Sequence, residues 1–411
     1  MSQPSPTHGL NGPSVLLPGQ PSPAAPRRLA TLGVMGGGQL GRMFVHAAQQ
    51  LGFRTAVLEP DASSPAGLVA HAHVIAGYAE AQGLASLADE ADAITTEFEN
   101  VPAQSLRTLA QRRPVAPAGD AVAVCQDRAA EKAHFIASGV PCAPHHLIDS
   151  EATLAATDAA LLPGILKTAR LGYDGKGQKR VRDRAALAAA WAELGSVPCL
   201  LEQLLPLQRE ISVIVARAAD GQIVQLPVQQ NLHRDGILAV TQVPAPDVSE
   251  ALQAEATASA RRIAAELGYV GVLCIEFFVV GDPSGALRLV ANEMAPRPHN
   301  SGHHSLNSCD ASQFDLQVRT LAGLPLVAPR LHSPAVMLNL LGDLWFDDQG
   351  REATPDWSAL LALPGAHLHL YGKLAARPGR KMGHLTFTAA TLAQAREAAL
   401  QAAARLGLPA F

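Results

Sequence analysis

Little in this chain points to disulfides, membranes or polyanions. Only five cysteines occur in 411 residues, at 125, 142, 199, 274 and 309. They are odd in number, widely spaced and without a C-x-x-C pair, which excludes a disulfide framework and suggests reduced core thiols in the cytoplasm. The formal net charge is −4, so no global attraction to nucleic acid or an anionic membrane is expected. Any basic binding site must be local. No apolar run reaches the roughly 18 residues that would suggest a membrane span. What is abundant is apolar sequence, at 48%, enough over this length for two or three domains with sizeable cores.

Residues 1–27 are dominated by Pro, Ser and Gly without an apolar period, which predicts a disordered tail. Its one apolar run, Val15-Leu16-Leu17, precedes the basic pair Arg27-Arg28, an order that does not fit a secretory signal. From Leu29 the pattern is strand, glycine turn, helix to about Leu51, and strand Thr55–Glu59, the opening of a parallel α/β domain. Gly36, Gly38 and Gly41 satisfy G-x-G-x-x-G, and Glu59 sits near the ribose-binding acidic position of a dinucleotide site. A nicotinamide-dependent oxidoreductase is therefore one functional alternative, although a lone motif of this kind is weak.

A second glycine loop carries more chemistry. In Lys167-Thr-Ala-Arg-Leu-Gly172-Tyr173-Asp174-Gly175-Lys176-Gly177-Gln178 a lysine at a strand end precedes three glycines. Such glycines permit positive φ and let backbone N–H groups approach phosphate oxygens, while the lysines supply charge. The bland alternative is a surface hairpin with two solvated lysines. About a hundred residues later, Cys274-Ile-Glu276-Phe-Phe and Leu289-Val-Ala-Asn292-Glu293 flank a Gly/Pro turn and predict a β-hairpin with a carboxylate on each strand. Sequence leaves the register open. If the two carboxylates meet, their repulsion is about 1 kcal/mol in water and about 4 at an effective dielectric of 20, and a divalent cation would remove it. Glu276, Glu293 and the neutral oxygen of Asn292 form an all-oxygen set suited to magnesium shared with phosphates. Edge glutamates facing solvent are the alternative.

The two clusters together resemble the ATP-grasp superfamily. Further runs narrow the resemblance to the ATPase subunits of the 5-(carboxyamino)imidazole ribonucleotide synthases: Gly36–Met43, Thr96–Val101, Gln126–Arg128, Asn231–Ile237, Asn292–His303 and Arg377–His384. The resemblance implies an N-terminal parallel α/β pre-ATP-grasp domain over 28–120, an ATP-grasp domain over 121–328 with a lid subdomain at about 140–205, and a small C-terminal β-rich domain over 329–411. It also implies an ATP-dependent ligase that joins bicarbonate to 5-aminoimidazole ribonucleotide through carboxyphosphate. The enzyme would work as a homodimer in the cytoplasm and pass its product to the mutase of the same pathway. ATP and magnesium are the implied cofactors, and neither nucleic acid nor membrane is a partner. Another ATP-grasp ligase, or a degenerate domain without turnover, is the alternative within this fold.

By the same resemblance, Glu202 and the backbone of Gln203, Leu204 and Leu205 contact adenine, and Glu210 holds the ribose. Lys167 and Gly172–Gln178 hold phosphates, with Arg128, His233, Asn292 and Glu293 completing the ATP shell. Glu276 and Glu293 would take the metal. Gln39, Leu40, Glu97, Tyr173, Lys176, Asn300, Ser301, Lys373, Arg380 and Lys381 would surround the ribonucleotide. Arg297 is the candidate for bicarbonate, and His303 or Asp174 for the amine proton. Taken without the family, His233 could equally be a solvated turn residue. The Lys373–Lys381 cations could be a solvated basic turn, though as a compact set after a strand they suit a phosphomonoester. His299 and His303, four apart, invite a zinc alternative, but Pro296 and Pro298 disfavour a regular helix and no third ligand is evident.

Overall fold

Three sheets organise the residues described by this computed structural model, which are 15–172, 177–281 and 284–411. The first is parallel, with strand order Ala72–Val74, Arg54–Leu58, Thr31–Met35, Ala93–Thr96. All five residues of Thr31–Met35 are buried, as expected of a parallel strand covered on both faces. Helix Gln39–Gln50 covers one face through Phe44, Val45 and Ala48, and helix Ala81–Glu90 covers the other through Leu84 and Leu87.

The tail prediction fails over residues 15–27. Leu16 is buried and its N–H donates to the Ala322 carbonyl at 2.9 Å. Ser22 Oγ donates to Asp92 Oδ1 at 2.5 Å, and Pro21 bridges to Leu29. Composition misleads here because a segment without a core of its own can still bury a few apolar groups on a neighbouring domain. Residues 1–14 lie outside the described set.

The second sheet is antiparallel, in the order His145–Ile148, Cys199–Gln203, Gly164–Thr168, Gln178–Val181. It packs Leu166, Val181 and Leu201 against Leu187 and Trp191 of helix Arg184–Glu193. The third sheet runs Leu287–Ala295, Gly271–Gly281, Leu207–Arg217, Gln229–Arg234, Ile237–Val243, Ala335–Leu341, Lys381–Thr388, Ala366–Leu370, with Ile223–Gln225 beside Leu207–Arg217. Its C-terminal strands continue the central sheet, since Val240 pairs with Leu338. Lys381–His384, expected as part of a loop, is the start of a strand.

Alternation along the central strands serves two cores. Ile211, Val213 and Val215 face Ala256, Ala260 and Ile263 of helix Glu250–Glu266, whereas Ile214 and Ala216 face Leu316 of helix Gln313–Ala322. That second helix also buries Phe314, Val318 and Leu321 in the N-terminal domain, so it ties the central sheet to the first glycine loop. Each such fully buried side chain contributes about 1.5–3 kcal/mol. Among the described residues no helix is long and apolar enough to cross a membrane, and all five cysteines are free thiols.

Candidate active site

The register that sequence left open is fixed by the hairpin itself: Glu276 lies directly opposite Glu293, and the pairing shifts immediately after Glu276. Directly opposed side chains share a face, so the two carboxylates confront one another. Burial, then repulsion from Glu293, pushes Glu276 up to about 8. Glu293 stays well below the usual carboxylate range because Arg128 and Lys167 outweigh its own burial. Arg128 Nη1 donates to Glu293 Oε2 at 3.0 Å. Glu276 Oε1 and Asn292 Oδ1 are buried without a hydrogen-bond partner among the described residues. A pair of facing carboxylates with orphaned hard oxygens fits an oxygen-seeking divalent cation.

The cations come from helix Arg128–Ala137, which Asp127 caps by accepting the N–H groups of Ala129 and Ala130 at 3.0 and 3.1 Å. One turn beyond Arg128, Lys132 donates to the Asn292 carbonyl at 2.6 Å and lies 3.4 Å from Glu202 Oε1. Lys167, on the lid, donates to Glu202 Oε2 at 3.0 Å. Lys167 is 5% exposed and Glu202 3%, so the solvated-lysine alternative fails at Lys167. Against burial, Lys167 and then Lys132 hold Glu202 down to about 2. Burial lowers Lys167 despite Glu202.

Gly177 has φ +72°, and a Cβ there would stand 2.7 Å from Thr168 Oγ1. Gln178 pairs across the lid hairpin with Lys167. Tyr173, Asp174, Gly175 and Lys176 lie outside the described residues, while Gly172 is the last described before them. The N–H groups of Gln203 and Leu204 already donate to Pro144 and Pro163 at 2.9 and 3.0 Å. The expected backbone contacts at 203–205 are thereby narrowed to carbonyls and Leu205. On adjacent strands, Glu210 and His233 form an ion pair. Against burial, the Glu210 contact and then Glu276 raise His233 to about 9.

The first glycine loop is plugged by its own chain. Glu97 accepts the N–H groups of Gly38 and Gly41 at 2.7 and 2.9 Å, and Glu59 accepts that of Gly37 at 2.8 Å. Those helix N-terminal donors are the ones a dinucleotide pyrophosphate would need. Gly36 sits at φ +106° with any Cβ only 2.3 Å from Glu97 Cγ. The nicotinamide alternative therefore falls on geometry. Burial pushes Glu97 up. Leu40 is buried in the core, so only its main chain can face a ligand, whereas Gln39 is half-buried.

The 372–380 loop approaches this domain, a Cβ at Gly372 standing 3.2 Å from Arg42 Nη1. On it, Lys373 Nζ donates to the Lys381 carbonyl at 2.5 Å and lies 5.6 Å from the Tyr371 ring centre. Half-buried Arg380 donates to the Ala375 carbonyl at 2.6 Å.

The turn at Asn300–Gly302 separates several expected partners. Asn300 is buried with both amide atoms lacking partners among the described residues. Ser301 is instead a strut, its hydroxyl accepting from Ser212 Oγ at 2.8 Å and meeting His299 Nδ1 at 2.9 Å. His303 is 1% exposed, with Nδ1 at 2.9 Å from Gln313 Nε2 and its ring 4.9 Å from that of His384. Burial and neighbouring cationic groups keep it neutral. This enclosure argues against its expected part as acceptor of the amine proton. His299 Nε2 points elsewhere, to Glu276 Oε1 at 3.5 Å, so the two imidazoles do not converge.

Sequence reasoning missed four residues. Lys132 was detectable from its helical spacing to Arg128. Glu99, in the quoted Thr96–Val101 run, forms the ion pair with Arg297. Glu131 accepts the Met294 N–H at 2.6 Å, and burial raises it to about 7. Gln313 brackets the turn by accepting the His299 N–H and donating to its carbonyl, both at 2.8 Å. No local sequence signal marked the last two.

Family comparisons agree with this geometry. Models of the ribonucleotide synthetase preATP-grasp domain, the ATP-grasp domain and the phosphoribosylaminoimidazole carboxylase C-terminal domain match residues 29–126, 133–314 and 335–398. An N5-carboxyaminoimidazole ribonucleotide synthase of Brucella melitensis is 45% identical over 360 residues, covering 87% of this chain and 96% of that protein. The crystal structure of an ADP complex of an N5-carboxyaminoimidazole ribonucleotide synthetase superposes with a TM-score of 0.84 at 35% identity, covering 96% of this chain and 98% of that one. An Aspergillus clavatus N5-carboxyaminoimidazole synthase, in complex with ADP and 5-aminoimidazole ribonucleotide, gives 0.82 at 31% identity and covers 92% and 98%. The chain belongs to the N5-carboxyaminoimidazole ribonucleotide synthases, ATP-dependent ligases of the ATP-grasp superfamily.

Proposed function

We propose that this chain carboxylates 5-aminoimidazole ribonucleotide with bicarbonate and ATP, and that the facing pair Glu276 and Glu293, set against Arg128 and Lys167, is where ATP is cleaved. A bicarbonate oxygen attacks the γ-phosphorus, the bond to the β-phosphate oxygen breaks, and ADP leaves. The exocyclic amine of the ribonucleotide then attacks the carboxyl carbon of carboxyphosphate, phosphate leaves, and the amine loses a proton. Bicarbonate itself is a poor electrophile, so phosphorylation supplies the leaving group. Water exclusion is essential because carboxyphosphate decomposes when released.

Arg128, Lys167 and the Gly172–Gln178 backbone orient the triphosphate and stabilise charge that moves from the γ-phosphoryl group to the β-phosphate. Glu276, Glu293 and Asn292 fit magnesium, which when bound would supply Lewis-acid neutralisation of the phosphate oxygens. Adenine lies at Glu202, whose Oε1 accepts no hydrogen bond among the described residues, and ribose lies at Glu210 beside His233. Gln39, Asn300, Lys373, Arg380 and Lys381 surround the ribonucleotide, with Glu97 shaping the loop below. Arg297, steered by Glu99, faces bicarbonate. With Ser301 and His303 enclosed, Asp174 is the remaining candidate for the amine proton. A cytoplasmic homodimer handing its product to a mutase completes the proposal.

The test is ADP release from ATP and magnesium with bicarbonate alone, ribonucleotide alone, or both. Strong release that requires both supports the assignment. Indifference to the ribonucleotide, with turnover on another amine, overturns the substrate while leaving the fold intact.

A further inference from the structure

Glu202 is a buried carboxylate with two lysines, and the two differ in what else holds them. Lys167 stands on the lid strand Gly164–Thr168, at the root of the glycine loop, and donates to Oε2 at 3.0 Å. Lys132 comes from the opposite body, is 0% exposed, and lies 3.4 Å from Oε1. Its Nζ also donates at 2.6 Å to the carbonyl of Asn292, the residue before Glu293. Lys132 is thus pinned at the strand that carries the proposed metal carboxylate. Lys167 sits next to the loop that must follow the nucleotide.

If Lys167 is to meet a phosphate it must loosen its hold on Glu202, and an unpaired buried carboxylate is strongly disfavoured. Resting on the ATP-site assignment above, we infer that Lys132 is a positioning residue: it remains as the standing counter-cation of Glu202, so that Lys167 can transfer from Glu202 to the nucleotide phosphate. The same ammonium, bonded to Asn292, keeps the lid carboxylate in register with Glu293 during the transfer. Two cations on one carboxylate are a surplus in the free protein, and that surplus is released to a polyanion when ATP arrives.

The test compares Lys132→Met and Glu202→Gln with Lys132→Met/Glu202→Gln, using steady-state ADP release in the presence of ribonucleotide and bicarbonate. Lys132→Met should lower kcat/KM for ATP at least tenfold, because Lys167 is then the only ion-pair partner of Glu202 among the described residues, while KM for the ribonucleotide stays within twofold. The double variant no longer ties Lys167 to a carboxylate, so its kcat/KM for ATP should match that of Glu202→Gln alone, which carries the same change at the adenine contact.

Wild-type kcat/KM for ATP in Lys132→Met, equal rises in both KM values, or a Lys132→Met effect as large in the Glu202→Gln background as in the wild type would each overturn the proposal. Should Lys132→Met fail to fold, the proposal requires the double variant to fold and bind ATP, and failure of both overturns it. If the wild-type enzyme ignores the ribonucleotide, the substrate assignment fails instead, and the dissociation constant of ATP measured in the wild type and the variants still tests Lys132.

Discussion

The two ends of the site handle positive charge differently. At the proposed phosphate end, Arg128 meets half-buried Glu293, while Lys167 and Lys132 meet Glu202, all three of them buried, and Lys132 also a carbonyl. At the proposed ribonucleotide end, Lys373 and Arg380 lean on the main-chain carbonyls of Lys381 and Ala375, and both are half-buried. The contrast follows from desolvation. A fully buried cation needs an anionic partner before its ligand arrives, whereas a half-buried one is held in part by water. On the proposed assignment, ATP exchanges partners inside an existing ion network. By the same assignment, the ribonucleotide phosphate meets half-buried cations that main-chain carbonyls help to hold.

Breaking the network should have the largest effect. Glu293→Gln keeps the shape but removes the charge that balances Arg128 and, with Glu276, would hold magnesium. Loss of one electrostatic stabiliser of the transition state costs about 10²–10³ in kcat. ADP release should fall at least that far and lose its saturable magnesium dependence. A variant with near-normal kcat and an unchanged magnesium titration would show that the carboxylate pair is not the cleavage site.

The looser end should respond in binding alone. A hydrogen bond to a charged group contributes about 1.5–3 kcal/mol, so Arg380→Ala should raise KM for the ribonucleotide by roughly 10- to 100-fold. Both kcat and KM for ATP should stay near wild type. If instead kcat falls and the ribonucleotide KM does not move, Arg380 belongs with the phosphate-transfer machinery and the contrast between the two ends collapses.

The contrast also marks what was legible in the sequence. Lys167, the second glycine loop and the acidic hairpin were visible because each combines backbone permissiveness or strand alternation with a charged group. The meeting of Glu276 and Glu293 was not, because a register is a long-range property. The first glycine loop shows the opposite failure. Its spacing matched a dinucleotide fingerprint, yet Glu97, which fills its donors, lies 59 and 56 residues from Gly38 and Gly41 in sequence. No local pattern carries that information. Ser301 and His303 were placed correctly on the turn but assigned to ligand contact, since sequence cannot say which side of a turn is enclosed. The packing of Leu16 and Ser22 was hidden for a related reason, as their partners Ala322 and Asp92 belong to other segments.

The smallest expected effect probes the edge of the buried network. His233 is raised to about 9 by its contact with Glu210 and the field of Glu276, from an ordinary value near 6.5. A group whose folded pKa is raised gives its full stabilisation below its unfolded value and loses it as pH climbs through the folded one. The His233–Glu210 pair should therefore be intact at neutral pH and dissolve through about pH 9. If it orders the ribose end, KM for ATP should be flat near pH 7–8 and rise several-fold above about pH 9. Lys167 is lowered by burial and is a second candidate for any alkaline step. His233→Asn separates the two, because it should raise KM for ATP at neutral pH and flatten the step near pH 9 while leaving any Lys167 step in place. A step of unchanged size in His233→Asn would move the pH dependence to Lys167 and make His233 a bystander of the network.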